Sequence, residues 1–354
     1  MNEAAARFKR LEPLLDRALE LNGAVREQFL ALCAEIHPDL IVDLRRALAP
    51  PIDVLPDIGA VAASASAAPA TDRRGLIVGN WRLIERLGRG GMSTVYRAEC
   101  LLPPALQAAV KLLRGADLAH RDLFERERGL LARLAHPGIA RLLDGGGGRD
   151  SQPYLVLEIA HGLDLDDWLM QVQPDLPRRL AVLVQIADAV AYAHRSGVMH
   201  RDLKPSNVRV DISDRIKLLD FGIGKSLDAT PGATRFHALT PNWAAPEQLL
   251  GQATTTATDV YALGALLYLM LTGHGPHPPF TGDWAALVES ATQRMPVPPS
   301  RVALHDPDTA IRYARRPSAL DALASGALEV DPMRRPRSAQ AFAEALQACV
   351  DNER

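Results

Sequence analysis

Four side chains between residues 202 and 220 have the types and the spacing to handle a phosphoryl group and a metal ion together. They are Asp202, Lys204, Asn207 and Asp220. Asp202 could orient a hydroxyl nucleophile, and Lys204 could meet the negative charge on a phosphoryl group in transfer. Oxygen atoms of Asn207 and Asp220 are ligands that magnesium prefers. The pattern therefore predicts phosphoryl transfer from a metal-bound nucleotide.

Two short strands are needed to bring these side chains together. Val208 to Val210 and Ile216 to Leu219 are apolar runs on either side of an Asp-Ile-Ser-Asp turn, which predicts a hairpin. Such a hairpin would return Asp220 to the side of Asn207. Taken alone, His-Arg-Asp at residues 200–202 is as consistent with a surface turn, and Asp-Phe-Gly at 220–222 with the end of a strand. Both triplets in order, with the lysine and the amide between them, favour chemistry.

The stretch from Met199 to Gly222 resembles the catalytic loop and the metal-binding turn of the eukaryotic-like protein kinases, in their bacterial Ser/Thr form. A lysine two residues after the aspartate is typical of the Ser/Thr-directed members. The resemblance implies an α+β, bilobal fold, with a small antiparallel β-sheet lobe that carries one helix and a larger helical lobe. It also implies ATP as the donor, magnesium (with manganese as an alternative) as the metal, and Ser/Thr hydroxyls of proteins as acceptors.

A glycine-rich turn precedes this stretch. Trp81 to Leu87 and Thr94 to Cys100 are predicted strands, and Gly-Arg-Gly-Gly-Met-Ser at residues 88–93 joins them. Glycines let a backbone approach phosphate oxygens closely, although ordinary hairpin turns use the same residues. The order of strand, turn, strand and lysine resembles the kinase nucleotide loop, with Ser93 in place of the third glycine. The resemblance places these residues around the nucleotide: Leu87, Gly88, Gly90, Val95 and Ala109.

Lys111 follows Ala109 and Val110 in a mostly apolar strand. A lysine at a strand end often extends its stem to solvent, which is the alternative to a role at phosphates. The segment Arg121 to Ala135 is predicted to be a helix, and the family offset favours Glu127 as the ion partner of Lys111, with Glu125 as the competing choice.

A further predicted strand, Tyr154 to Ala160, resembles the edge that meets adenine. The resemblance gives base contacts to backbone groups of Glu158 and Ala160, with Leu157 behind them, and a ribose contact to Asp164. Arg209 departs from the family, which has an aliphatic residue beneath the base. The glycines between Asp144 and Asp150 are predicted to form a hairpin turn, because no helix follows them.

The segment after residue 222 is rich in Thr, Ser, Gly and Ala, and the resemblance identifies it as an activation segment. Thr234 is the preferred phosphate acceptor, with Thr230 and Ser226 as alternatives. Arg201 could receive that phosphate, or it could simply pair with nearby carbonyls. Leu239 replaces a glycine that relatives often place before the substrate-facing threonine.

Three further predictions concern the scaffold. The resemblance implies a buried ion pair between Glu247 and Arg335, and hydrogen bonds from the catalytic-loop backbone to Asp259. Apolar periodicity predicts helices from Pro177 to Ser196, from Val260 to Thr272 and from Trp284 to Arg294, the second of them buried.

The whole sequence has 354 residues and a formal net charge of −2, so it offers no broad basic field for nucleic acid. Its three cysteines form no metal or redox motif, its amino-terminal segment is charged, and its longest apolar run is too short to span a membrane. We therefore expect a cytoplasmic protein. Apolar periodicity predicts a helical prefix over 1–49, composition predicts an Ala/Pro/Ser linker over 50–77, and the resemblance implies a kinase domain over 78–350. The prefix has an apolar face that could bind a partner or a second copy.

Two other functions are weighed against an active protein kinase. One is a catalytically idle scaffold that keeps the fold and binds a partner, which only Arg209 and Leu239 favour. The other is a small-molecule kinase, which the Ala-Pro-Glu block at residues 245–247 disfavours.

Overall fold

The described part of the chain has a sheet-rich first half and a helical second half. The structure is a computed structural model that describes Leu30 and residues 73–89, 93–113, 124–125, 128–147, 152–221, 241–280, 283–302 and 317–351. The chain divides into two units, Met1–Thr71 and Asp72–Arg354, and all described residues except Leu30 belong to the second. The predicted helices of the prefix, apart from Leu30, lie outside the described residues, and the domain boundaries stay predictions.

Six antiparallel strands form the first sheet. They are β1 (Ile77–Val78), β2 (Trp81–Arg89), β3 (Ser93–Cys100), β4 (Gln107–Leu113), β5 (Leu142–Gly146) and β6 (Tyr154–Glu158), in the order β1-β2-β3-β4-β6-β5. Every second side chain of β3 is buried, as expected for a sheet with one covered face. The predicted strands are present, and β2 extends further than expected, to Arg89.

A short segment joins this sheet to the helical half. The described residues 124–125 and 128–131 are helical and fall within the predicted helix. After them, Ile139 forms a parallel bridge to Leu218, and Ala140 donates its backbone N–H to the Leu218 carbonyl at 2.9 Å. The connection between the halves is therefore hydrogen-bonded directly to the strand that precedes Asp220.

Seven α-helices are described after β6. They are α1 (Leu165–Val172), α2 (Leu176–Arg195), α3 (Pro246–Leu249), α4 (Thr256–Thr272), α5 (Trp284–Gln293), α6 (Pro317–Ala327) and α7 (Ala339–Asp351). Helix α4 is buried along nearly its whole length and contacts α2, α6 and α7. A Cβ added to Gly264 of α4 would lie 2.6 Å from the Ala327 side chain, which shows how closely α4 and α6 approach. The predicted α2, α4 and α5 are confirmed, and α4 begins four residues earlier than expected, capped by Thr255.

No helix among the described ranges combines the length and the apolarity that crossing a membrane requires.

A second, three-stranded sheet carries the site residues. Its strands are β7 (Leu163–Asp164), β8 (Val208–Val210) and β9 (Ile216–Leu218), in the order β7-β8-β9. Strands β8 and β9 form the predicted hairpin, which is therefore confirmed. Gly162 has a φ of 112°, and a Cβ there would lie 2.1 Å from the Val210 carbonyl oxygen, so glycine is required where β7 meets β8.

Candidate active site

Asp202, Lys204 and Asn207 form one hydrogen-bonded cluster. Asn207 lies in a 3₁₀ turn, Pro205–Asn207, directly before β8. Its Nδ2 donates to the Asp202 backbone oxygen at 2.7 Å and to Asp202 Oδ2 at 3.2 Å. Lys204 Nζ lies 3.1 Å from Asp202 Oδ2. The structure thus brings together three of the four side chains that the sequence singled out.

The hairpin brings the fourth side chain back toward this cluster. The Leu219 N–H donates to the Asn207 carbonyl oxygen at 2.8 Å, and Asp220 is the next residue. Asp220 has a φ of 51°, and its Oδ1 lies 2.8 Å from Lys111 Nζ. Lys111 was expected to pair with Glu127, which lies outside the described residues. The ion pair with Asp220 was not predicted from the sequence.

Asp259 binds the backbone of the catalytic loop. It is 1% exposed, and the backbone N–H groups of His200 and Arg201 each donate to its carboxylate at 2.8 Å, which confirms the predicted contact. His194 Nε2 lies 2.7 Å from the same carboxylate. His194 was missed, and its only sequence signal is a polar residue in the last turn of α2.

Burial by itself raises the pKa of Asp259. The hydrogen bond from His194, the charges of His194 and His200, and the His200 N–H outweigh burial, so the pKa of Asp259 is lowered. Its carboxylate therefore stays ionised and keeps the loop backbone in place. His200 is fully buried against Phe221, with ring centroids 4.6 Å apart, and burial lowers its pKa despite the nearby carboxylates.

The residues predicted to hold the nucleotide flank Lys111 in the sheet. Val95 is the register partner of Gly88 on β2 and of Lys111 on β4, so the three lie side by side. Ala109 lies opposite Leu157 on β6. Leu87 is half-exposed at the end of β2. Gly90 lies outside the described residues.

Glu158 ends β6, and an unpredicted ion pair joins it to the second sheet. Its backbone N–H donates to the Arg141 carbonyl at 2.8 Å, and its Oε2 accepts from Lys217 Nζ, on β9, at 2.8 Å. Ala160 follows two residues later, in the segment that leads to β7. The end of the first sheet is therefore tied to the strand that leads to Asp220.

Asp164 and Arg209 are register partners on β7 and β8. Asp164 Oδ1 accepts the Asp167 N–H at 3.0 Å and so caps α1. Arg209 Nη1 donates to the Gly162 carbonyl at 3.3 Å. The guanidinium of Arg209 is thus attached to the backbone that follows β6.

The predicted pair of Glu247 and Arg335 is confirmed. Two hydrogen bonds of 2.8 Å join the guanidinium to the two carboxylate oxygens, and the side chains are 4% and 0% exposed. Burial alone would raise the pKa of Glu247, but the hydrogen bond and charge of Arg335, together with hydrogen bonds from the Glu247 backbone and Thr258, lower it below its ordinary value. Gln248, also on α3, donates to the Arg201 carbonyl at 2.9 Å, which connects this helix to the catalytic loop.

The predicted phosphate acceptors of the activation segment and Leu239 lie outside the described residues. The acceptors are Ser226, Thr230 and Thr234.

The fold combines an antiparallel sheet with a helical half. Together with the Asp, Lys, Asn and Asp side chains on the catalytic loop and the hairpin, it defines a protein kinase. The chain belongs to this family, because the protein kinase domain model matches residues 81–346.

The chain is similar to serine/threonine-protein kinases of several bacteria. It is 37% identical over 290 residues to the serine/threonine-protein kinase pkn3 of Myxococcus xanthus, which covers 77% of this chain and 50% of that protein. It is 36% identical over 272 residues to the serine/threonine-protein kinase PknB of Mycolicibacterium smegmatis, covering 73% of this chain and 41% of that protein. The chain spans about a third to a half of the length of the first curated relatives that it matches.

Proposed function

We propose that this chain is a serine/threonine protein kinase that transfers the γ-phosphoryl group of ATP to protein hydroxyls. The observation that carries the proposal is the cluster of Asp202, Lys204 and Asn207, joined through the hairpin to the Asp220–Lys111 ion pair. A surface turn would not bring these five side chains together, since they come from three separate elements.

Asp202 is the residue that would orient the acceptor hydroxyl and take up its proton. Hydrogen bonding by Asn207 Nδ2 to both its backbone and its carboxylate fixes the direction of that carboxylate. Lys204, 3.1 Å from it, would stabilise negative charge on the phosphoryl group. The Asp259 carboxylate holds the preceding backbone, so the acceptor position is preorganised.

The donor set fits a magnesium ion. Because Nδ2 of Asn207 points at Asp202, its Oδ1 is turned the other way and can accept a cation. Asp220 offers a carboxylate of which Lys111 contacts one oxygen. Oxygen ligands of this kind suit magnesium, and manganese as an alternative. When bound, the metal would neutralise charge on the nucleotide phosphates.

The nucleotide would lie between the first sheet and the hairpin. In this proposal Lys111 holds the donor phosphates, braced by Glu127, while backbone groups of Glu158 and Ala160 hold the base and Asp164 meets the ribose. The walls of the site are Leu87, Gly88, Gly90, Val95 and Ala109. The register that sets Val95 and Gly88 beside Lys111 supports this arrangement.

Autophosphorylation of the activation segment, with Thr234 as the preferred acceptor, is part of the same proposal. Arg201 would receive the phosphate. Its backbone is held at both ends, by Asp259 and by Gln248, with a φ of 62°. A cytoplasmic setting and partner binding or self-association through the N-terminal helices are proposed from the sequence alone.

The test is incubation of the purified protein with radiolabelled ATP and magnesium, beside Asp202→Asn. We expect label on Ser or Thr of the wild type and none on Asp202→Asn. Asp188→Asn is the matched control, because Asp188 is an exposed aspartate on α2. Equal labelling of wild type and Asp202→Asn would refute the assigned chemistry, and label only on an added small molecule would favour a different kinase class.

A further inference from the structure

A partly buried polar connection joins helix α4 to helix α5. The Tyr261 hydroxyl, on α4, lies 2.6 Å from His277 Nε2, and His277 Nδ1 lies 3.1 Å from Ser290 Oγ, on α5. Tyr261 is 1% exposed. His277 belongs to the turn after α4, so a single imidazole bridges two helices.

The protonation states fix the role of the imidazole in these hydrogen bonds. Burial raises the pKa of the Tyr261 hydroxyl and lowers the pKa of His277 to about 4. Near neutral pH both groups are therefore neutral, and one ring nitrogen of His277 donates while the other accepts. Because each ring nitrogen has its own partner, the imidazole cannot rotate without losing both bonds.

The α4 end of this connection is anchored. The Arg335 guanidinium lies over the Tyr261 ring, 4.9 Å from its centroid, and Arg335 also binds Glu247 on α3. The phenol ring is therefore held between the buried ion pair and the imidazole.

The α5 end reaches the segment beside the catalytic loop. Leu287 and Ala291 of α5 pack against Ala244 and Leu249. Before α5, the Phe280 N–H donates to Asn242 Oδ1 at 2.7 Å. Helix α5 thus lies on residues 241–249, which include the end of the predicted activation segment at residues 245–247.

That segment also lies next to the proposed catalytic aspartate. Trp243, Ala244 and Gln248 line a small cavity of about 10 Å³ together with Asp202. A shift of α5 would therefore move residues that pack beside the loop that carries Asp202.

We propose that His277 is a positioning residue for the protein substrate. Through its hydrogen bond to the anchored Tyr261, it holds α5 against the segment 241–249. This inference rests on the proposed kinase function. It assigns to one imidazole the alignment of the acceptor surface with Asp202, and no part in binding ATP.

The experiment measures KM for ATP and KM for a protein acceptor separately, with purified Asp202→Asn chain as the acceptor. In His277→Leu both hydrogen bonds are lost, and we expect KM for the acceptor to rise about three- to tenfold, the range of one or two lost hydrogen bonds. KM for ATP should stay within about twofold by the same reasoning. His277→Gln, whose amide can accept at one end and donate at the other, should restore most of the acceptor affinity.

Tyr261→Phe provides a second variant that removes only one hydroxyl from a retained ring. It should reproduce the effect of His277→Leu, and the double variant should be no worse than either single, since both break one connection. His274→Leu is the matched control, because His274 is an exposed histidine in the same turn.

Each outcome decides something. Absence of label from both the wild type and the added Asp202→Asn chain would remove the proposed function and this inference with it. Transfer with unchanged acceptor KM in both His277→Leu and Tyr261→Phe would overturn the inference alone. Equal rises in both KM values would indicate general loosening of the fold, and would also overturn it.

Discussion

Loss of Arg335 is the perturbation whose cost follows most directly from the structure. All its N–H groups are used: Nε donates to the Glu329 carbonyl, Nη1 to Glu247 and the Ala257 carbonyl, and Nη2 to Glu247 and the Val330 carbonyl, at 2.8–3.1 Å. The guanidinium is fully buried. The side chain therefore joins the start of α4, the segment before α7 and helix α3.

The expected cost of Arg335→Met is about 3–5 kcal/mol in the free energy of unfolding, because it leaves Glu247 buried without its counter-charge. The Thr258 hydroxyl, 2.8 Å away, would still donate to that carboxylate. Glu247→Gln, which leaves a buried guanidinium facing an amide, should cost a similar amount. In the double variant no unpaired charge remains, so its cost should be at least about 2 kcal/mol less than the sum of the singles.

Urea unfolding of the three variants, followed by circular dichroism at constant ionic strength, measures these differences. If each single substitution lowered the free energy of unfolding by less than about 1 kcal/mol, the pair would contribute no more than an exposed ion pair, and the reasoning would be refuted. Additive costs in the double variant would also refute it, because they would show no coupling between the two side chains.

The pH dependence gives an independent check with a fixed sign. The pKa of Glu247 in the folded chain lies below its ordinary value of 4.5. The stabilisation by the pair is therefore complete above that value and is lost as the pH falls through the lower, folded-state pKa. In Arg335→Met burial raises the pKa of Glu247 instead, so the variant's carboxyl takes up a proton, and loses its unpaired charge, at a higher pH than the wild type does. The stability difference between wild type and Arg335→Met should therefore shrink as the pH falls, beginning above the ordinary pKa of 4.5. A difference that stays constant or grows as the pH falls into the acid range would contradict the assignment.

Three further predictions concern other contacts of the site. Arg209→Leu should lower KM for ATP severalfold, because an apolar side chain would replace a cation predicted to lie beneath the base. An ATP titration in which the variant binds more weakly than the wild type would refute this prediction. Lys217→Met breaks the partly exposed ion pair with Glu158, so KM for ATP should rise by roughly two- to fivefold. The rise should be smaller at high salt, which screens the pair. A rise in KM that does not depend on salt would exclude an electrostatic origin. The folded-state pKa of His200 is lowered, so the free energy of unfolding of the wild type should fall as the pH drops below about 6.5, by up to about 1.4 kcal/mol per pH unit. In His200→Phe, urea unfolding should show a smaller decrease per pH unit. Equal decreases in the two proteins would show that another group takes up the proton.

The sequence by itself determined the elements that are local in the chain. A turn between two apolar runs was sufficient to predict the β8–β9 hairpin, and a continuous apolar run was sufficient to predict that α4 is buried. These features depend on neighbouring residues, whose periodicity is visible in any single sequence. The pair of Glu247 and Arg335 was also foreseen, but only through the family resemblance.

Only the tertiary structure decided which distant side chains meet. Lys111 contacts Asp220, Glu158 contacts Lys217 fifty-nine positions away, and Tyr261 is linked through His277 to α5. No local pattern encodes such contacts, because they depend on how elements remote in sequence pack and on which side chain then reaches a buried charge or hydroxyl. Residue types and spacing specify the chemical groups of this chain, and the packing of its two sheets and helices specifies their partners.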